Sequence, residues 1–242
     1  MSLRETYEKQ VKEFTEVAHL LSEKGHVTSH GGNMAWRLEE RIILITPTKK
    51  NKGLLEFDDP VFLSPDGVVV EGNMKPTGET PMYLLLFDER PDIKAIIHAH
   101  PRAASAFAIT KGANYLARPI LPETVTEIGP VPVCPYAEPL THELAEHFLP
   151  FLDKHNAFLM ENHGLLAMSF EGIRRAYDMI EIIEATAESI LWAASLGPVK
   201  EIPPDGVKNL EKTMRTRDLP SIGRPDKGHD LLTLYYPDMA RS

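Results

Sequence analysis

The sequence predicts an α/β protein in which helices cover both faces of a mainly antiparallel sheet, a three-layer α/β/α sandwich. Helical apolar spacing opens the chain at 3–24 and returns at 170–197, and short apolar runs bounded by turns fill the interval. Several of those runs are joined by turns short enough for hairpins, which only antiparallel neighbours can share. A chain of 242 residues can bury such a core as one domain, expected over 1–197, with 198–242 as a proline-rich C-terminal tail packed on that domain or on a neighbouring subunit.

The first helix, 3–24, carries Tyr7, Val11, Phe14, Ala18 and Leu21 on one face and stops before Gly25. "SHGGNMAWRL" (29–38) begins as a glycine-rich turn, and "RIILITPT" (41–48) reads as a strand. "VFLSPDGVVVEG" (61–72) places Pro65-Asp66-Gly67 between two apolar runs, a hairpin signal. In "TGETPMYLLLFDERP" (77–91) Thr80 can cap a helix that begins with Pro81 and ends before Pro91. A strand in "KAIIHAH", a helix over 102–111, a strand in "GPVPVCPY" and a helix over 141–152 follow. "NAFLMENHGLLAM" (156–168) is strand, turn and strand. The longest periodic segment, 170–197, aligns Ile173, Ala176, Ile180, Ile183, Ala187, Ile190 and Leu191 before Gly197-Pro198 ends it.

Apolar residues make up 43 % and charged residues 25 %, the balance of a globular protein. The net charge is −9 and the basic residues are scattered, so nucleic acid is not an expected partner. The N-terminus lacks a signal-peptide core, no apolar run has the length of a membrane span, and Cys134 has no second cysteine to pair with. A reducing cytoplasm, with no membrane contact, is the expected location.

Chemistry enters with "IIHAHP" (96–101). Side chains alternate along a strand, so His98 and His100 project the same way and two neutral imidazoles can chelate one metal ion. His163 in "ENHGLL" ends another apolar run just before a glycine that permits close approach. Three histidines leave a tetrahedral zinc ion with one exchangeable position, and imidazole with carboxylate also accommodates manganese, cobalt or iron. Glu79 in "KPTGETP", at a helix N-terminus that favours anions, is the candidate acid and fourth ligand.

With these residues in the order Glu79, His98, His100, His163, the sequence resembles the class II aldolase and adducin-domain family, which includes fuculose-phosphate and rhamnulose-phosphate aldolases and ribulose-phosphate 4-epimerase. "GGN" (31–33), "ITPT" (45–48), "KPTGE" (75–79), "HAHP" (98–101), "PYA" (135–137) and "NHG" (162–164) fall in the family's order across about residues 7 to 195. The resemblance implies a metal site of His98, His100 and His163, with Glu79 as the group that binds the resting metal or transfers a proton. It implies a three-layer sandwich assembled as a homotetramer with sites at subunit interfaces. Phosphate recognition maps onto Asn33, Thr48, Lys49, Thr77 and Gly78. Lys49 stands where the family often has glycine, and Gly78 replaces a second serine. The acid-base tyrosine of fuculose-phosphate aldolase has no counterpart in "RPILPETVTEIG" (118–129), where Glu123 is the polar group available. A tail tyrosine of that aldolase matches Tyr235-Tyr236 only in position, and these are expected to anchor the tail. His30 is the one other histidine expected near the pocket.

The implied activity is that of a divalent-metal-dependent aldolase. It would cleave a small ketose phosphate to dihydroxyacetone phosphate and an aldehyde through an enediolate whose charge a Lewis acid stabilises. Decarboxylation of a β-keto acid or its phosphate is the alternative, and 4-epimerisation is less favoured because that enzyme carries aspartate at the position of Glu79. A cytoskeletal role like that of adducin would have no need of the histidines.

Overall fold

The computed structural model describes residues 1–39 and 42–238. Arg41, which opens the expected strand at 41–48, and the last four residues of the expected tail lie outside the described residues.

Ser2 and Glu5 form a reciprocal capping box that starts α1 (Leu3–Thr6), and α2 (Glu8–Glu23) follows. The single helix expected over 3–24 is thus interrupted at Tyr7, where the backbone leaves the helical region at φ −107°, ψ 30°. The break lets the Glu71 carboxylate accept from the Leu3 and Arg4 amides while α2 lays Val11, Phe14, Val17, Ala18 and Leu21 into the core.

Among the described residues, one sheet holds β1 (Asn33–Arg37), β2 (Ile43–Ile45), β3 (Val61–Leu63), β4 (Val69–Glu71), β5 (Ala95–Ala99), β6 (Val133–Cys134), β7 (Ala157–Met160) and β8 (Gly164–Ser169). The strand order is β4-β3-β2-β1-β5-β8-β7-β6, antiparallel throughout except for the β6–β7 pair. Successive strand residues face opposite layers. Met34, Leu44, Ile97, Leu165 and Ala167 pack with α2, with α4 (Arg102–Ala108) and with α7 (Ile173–Leu196). Ala35, Ile43, Ile45, Ile96, Phe158, Leu166 and Met168 pack with α3 (Thr80–Glu89) and α6 (His142–Glu146). Two apolar faces on one sheet require a helical layer on each, and the three-layer architecture follows.

Two further helices differ from the sequence expectation. The helix expected over 141–152 stops at Glu146 and resumes as a 3-10 turn at Leu149–Phe151, because Pro150 lacks the N–H a continuous helix would need. In α3 the cap is Glu79 and not Thr80, whose hydroxyl instead donates to the Thr77 carbonyl at 2.6 Å.

After Gly197 the chain is more ordered than its prolines suggest. Pro204 occupies the first turn of α8 (Pro204–Thr216), where a missing N–H costs nothing. With α9 (Leu231–Tyr235) this helix forms a small core of Val207, Met214, Ile222 and Leu231 against Val125 of α5 (Pro122–Glu127). Arg90, fully buried, ties this segment to the body: it pairs with Asp92 and donates to the Leu152 and Gly223 carbonyls. No helix of the described residues is long and apolar enough to cross a membrane.

Candidate metal centre

The register of β5 builds the centre. His98 lies opposite Asn33 of β1 and Leu166 of β8, which puts it at the end of the strand nearest the β7–β8 turn. His100 follows the strand, and its amide donates to the His26 carbonyl at 2.7 Å. Pro101 then turns the chain into α4. His163 sits in the β7–β8 turn, which Asn162 enters in the left-handed region at φ 55°.

Gly164 is required here by space. A Cβ at this position would come within 2.6 Å of both the Ala99 carbonyl oxygen and His100 Cδ2, so any side chain would push the β7–β8 turn away from the histidines.

Ligand nitrogens of His98, His100 and His163 lie within 4.8 Å of one another, and Nε2 of His98 and Nε2 of His100 are 2.9 Å apart. His98 Nδ1 donates to the Leu165 carbonyl at 3.0 Å; since a carbonyl only accepts, the proton is on Nδ1 and the Nε2 lone pair faces its neighbours. Burial above all holds His98 down to about 3 and His163 to about 4, and lowers His100 as well. The three rings are neutral donors at neutral pH, the protonation state a metal requires.

Glu79 faces the cluster, 4 % exposed, with Oε1 3.7 Å from His163 Nε2 and Oε2 4.0 Å from His98 Nε2. Although it holds the N-cap position of α3, its carboxylate makes no cap hydrogen bond. It accepts instead from Asn33 Nδ2 at 2.8 Å. The converging lone pairs, the neutral state of the rings and the adjacent carboxylate fit a divalent cation held by three nitrogens and one oxygen.

The residues expected to hold phosphate are brought partly together. Pro47 and Pro76 form a bridge, so the turns carrying Thr48 and Thr77 lie side by side, and Thr77 is buried. Gly78 is exposed against Leu140, and Lys49 is exposed on a left-handed turn at φ 57°. Lys52, three residues on, is the lysine that turns inward: 2 % exposed, it donates to the His30 and Lys50 carbonyls at 3.1 and 3.0 Å. Burial lowers its ammonium to about 8, with the Glu79 charge opposing. No carboxylate of the described residues forms an ion pair with it. Tyr83, one helical turn after Glu79, is the second residue that sequence reasoning missed, and its hydroxyl meets Asn33. The i, i+4 spacing from Glu79 was a readable signal for Tyr83; nothing local marked Lys52.

The His30 loop lies at the edge of the centre, its carbonyl accepting from Lys52 and Gly31 close against His100, with the His30 ring itself outside the cluster. His30 and Glu123 are exposed, and Tyr236 donates to the Ile202 carbonyl at 2.8 Å within the C-terminal core.

A pH dependence follows from the buried rings. His98, His100, His163, His155 and His26 all have depressed proton affinities, chiefly from burial, with His155 at about 4. Below the ordinary histidine value the unfolded chain takes up protons that the folded chain refuses, so stability is lost as pH falls from about 6.5 toward 4. Each ring contributes up to about 1.4 kcal/mol per pH unit in that window. The thermal midpoint of chelator-treated protein should drop steeply across it, and a flat midpoint would contradict the burial of these rings.

Residues 12–191 match the sequence model of the family described as class II aldolase and adducin N-terminal domain. The chain belongs to this family. A 3-oxo-tetronate 4-phosphate decarboxylase of Escherichia coli (strain CFT073) is 30 % identical to this class II aldolase family member over 181 residues, covering 74 % of this chain and 84 % of the relative. A 5-deoxy-D-ribulose 1-phosphate aldolase of Bacillus thuringiensis is 30 % identical over 207 residues, covering 85 % and 95 %. The crystal structure of YgbL, an Escherichia coli protein described as an aldolase/epimerase/decarboxylase, superposes with a TM-score of 0.77 at 26 % identity, covering 86 % of this chain and 99 % of that one. The named relatives of this family member are lyases, and it is an enzyme of that class.

Proposed function

We propose that the protein is a divalent-metal-dependent aldolase that cleaves a small ketose phosphate into dihydroxyacetone phosphate and an aldehyde. The observation that carries the reading is the convergence of His98, His100 and His163 on one point with the Glu79 carboxylate across from them. Its relatives include an aldolase acting on a deoxyketose phosphate. The metal, when bound, supplies a Lewis acid that stabilises negative charge developing on the substrate oxygens as the carbon–carbon bond breaks.

The chain's own residues do the rest. His98, His100 and His163 stay neutral and hold the cation, which we assign as zinc, with manganese and cobalt as alternatives. The proton that leaves the substrate hydroxyl as the bond breaks passes to water in the site, and Glu79, protonated in turn from it, returns one to the carbon left electron-rich by cleavage, a role its position beside the ligands suits. Thr48, Lys49, Thr77, Gly78 and the second N–H of Asn33 hold the phosphate at the paired turns. A cytoplasmic homotetramer is the assembly the family resemblance implies.

A second reading, decarboxylation of a 3-keto acid phosphate, is favoured by two observations. Lys52 places an ammonium within electrostatic range of Glu79, His98 and His100, where a substrate carboxylate would be attracted. Loss of carbon dioxide also needs no base for a substrate hydroxyl, consistent with the absence of tyrosine from 118–129.

The test is a coupled assay for dihydroxyacetone phosphate from a panel of ketose 1-phosphates, with and without chelator. Chelator-sensitive release supports the aldolase. No release from metal-loaded protein, together with carbon dioxide from a 3-keto acid phosphate, replaces it by the decarboxylase.

A further inference from the structure

Tyr83 lies on α3, four residues after Glu79, and is completely buried. Its hydroxyl oxygen is 2.6 Å from Asn33 Oδ1 and 2.8 Å from the Asn33 carbonyl oxygen. Both partners only accept, so the tyrosine donates. The other side of the same amide, Nδ2, donates to Glu79 Oε2 at 2.8 Å.

This chain of bonds has one workable direction. Were the Asn33 amide flipped, its oxygen would face Glu79 Oε2 at hydrogen-bond distance, and two buried oxygens would be left opposed. The Tyr83 hydroxyl, whose one proton is shared between Oδ1 and the Asn33 carbonyl oxygen, anchors the amide in the orientation that Glu79 requires. Its donor role follows from the geometry, because both oxygens it meets only accept. Asn33 is itself fixed by strand pairing, opposite His98 in the β1–β5 register. The amide therefore stands on the same framework as a proposed metal ligand, and the carboxylate is referred to that framework through it.

We propose that Tyr83 and Asn33 are positioning residues that aim the Glu79 carboxylate at the histidine cluster, and that the orientation they impose leaves one Asn33 N–H free for the substrate. The inference rests on reading the cluster as the reaction centre. It assigns Asn33 a duty beyond phosphate contact: the same amide that meets the substrate also holds the acid, so a correctly seated phosphate and a correctly aimed carboxylate require one and the same amide orientation. Neither residue touches the reacting atoms by this argument; both act through Glu79.

The deciding experiment uses Tyr83→Phe, which removes one oxygen and keeps the ring. In the metal-free wild-type protein the one Asn33 Nδ2 proton bonded to Glu79 should exchange slowly with solvent by nuclear magnetic resonance, and Tyr83→Phe should accelerate its exchange. This readout needs neither metal nor substrate, so it separates failure of the relay from failure of the lyase reading. Rapid exchange in the wild type overturns the relay even if the variant does not fold. In the metal-loaded enzyme, Tyr83→Phe should lower kcat by about 10- to 100-fold, the usual effect of losing an outer hydrogen-bond partner, while bound metal stays at the wild-type level. In a Glu79→Gln background the same substitution should cost little more, because no carboxylate remains to be aimed. An equal loss in both backgrounds would assign Tyr83 a packing role and overturn the proposal.

Discussion

The His98→Ala protein is expected to lose its bound metal and, with it, turnover by roughly 10³-fold or more, the equivalent of about 4 kcal/mol of Lewis-acid stabilisation. His98 is the most constrained member of the cluster. It is 1 % exposed, placed on β5, and held by the bond from Nδ1 to the Leu165 carbonyl. Alanine leaves two imidazoles, one beyond the strand end and one in a turn, and neither has comparable support. His163→Ala should behave likewise. The fold should survive: the substitution forfeits one hydrogen bond, worth about 1 kcal/mol, and opens a cavity, but it also relieves the crowding of one buried and two partly buried rings. Metal analysis by mass spectrometry, alongside circular dichroism to verify folding, measures both effects. His30→Ala, at an exposed ring outside the cluster, is the control expected to retain metal. A folded His98→Ala protein with a full complement of metal would remove the histidine cluster from the mechanism.

Glu79→Gln is expected to separate metal binding from catalysis. Glutamine matches glutamate in shape and its carbonyl can still accept from Asn33 Nδ2, so the surroundings should change little. The three imidazoles continue to hold the cation, and metal content should stay nearer to wild type than activity does. Turnover should fall by about 10²- to 10⁴-fold, the range that a positioned acid or base contributes. The loss should appear in kcat more than in KM, because the residue acts on the transition state and the phosphate is held elsewhere. Full activity in this variant would eliminate Glu79 as the proton carrier, and loss of metal to the extent seen in His98→Ala would make it chiefly a ligand.

Both predictions rest on residues legible in the sequence, and the reasons differ. The alternation of a strand is a local property, and it placed His98 and His100 on one side without reference to any partner. Glycine at 164 likewise marked a close approach before the approaching atoms were known. What brought His163 to the other two was the β5–β8 register, which sets Ala99 opposite Leu165 and so brings the β7–β8 turn beside the end of β5. The position of Glu79 depended on α3 packing against the far face of the sheet.

The same contrast explains the errors. Pro150 and Pro204 are identical residues with opposite consequences, one inside a helix and one at the start of another, and the sequence reading misjudged both. Of the lysines in 49–52, Lys49 was singled out by its alignment with a glycine, yet Lys52 is the one drawn inside. That outcome depends on the carbonyls of His30 and Lys50, which converge only once the glycine turn and the 3-10 turn at Lys52–Leu54 are packed together. The C-terminal helices were missed because their small core is completed by Val125, some eighty residues upstream of the start of α8.

By itself, then, the sequence determined the layered α/β class and singled out three imidazoles and one carboxylate as the candidate centre, because period and residue chemistry are short-range properties carried by neighbouring residues. The tertiary structure alone decided that Tyr83, Asn33 and the Glu79 carboxylate join in one chain of hydrogen bonds, that Lys52 and not Lys49 is buried, and that the tail folds. Each of these turns on which backbone and side-chain groups meet across strands and layers, and such meetings are fixed by register and burial over distances along the chain that no local pattern spans.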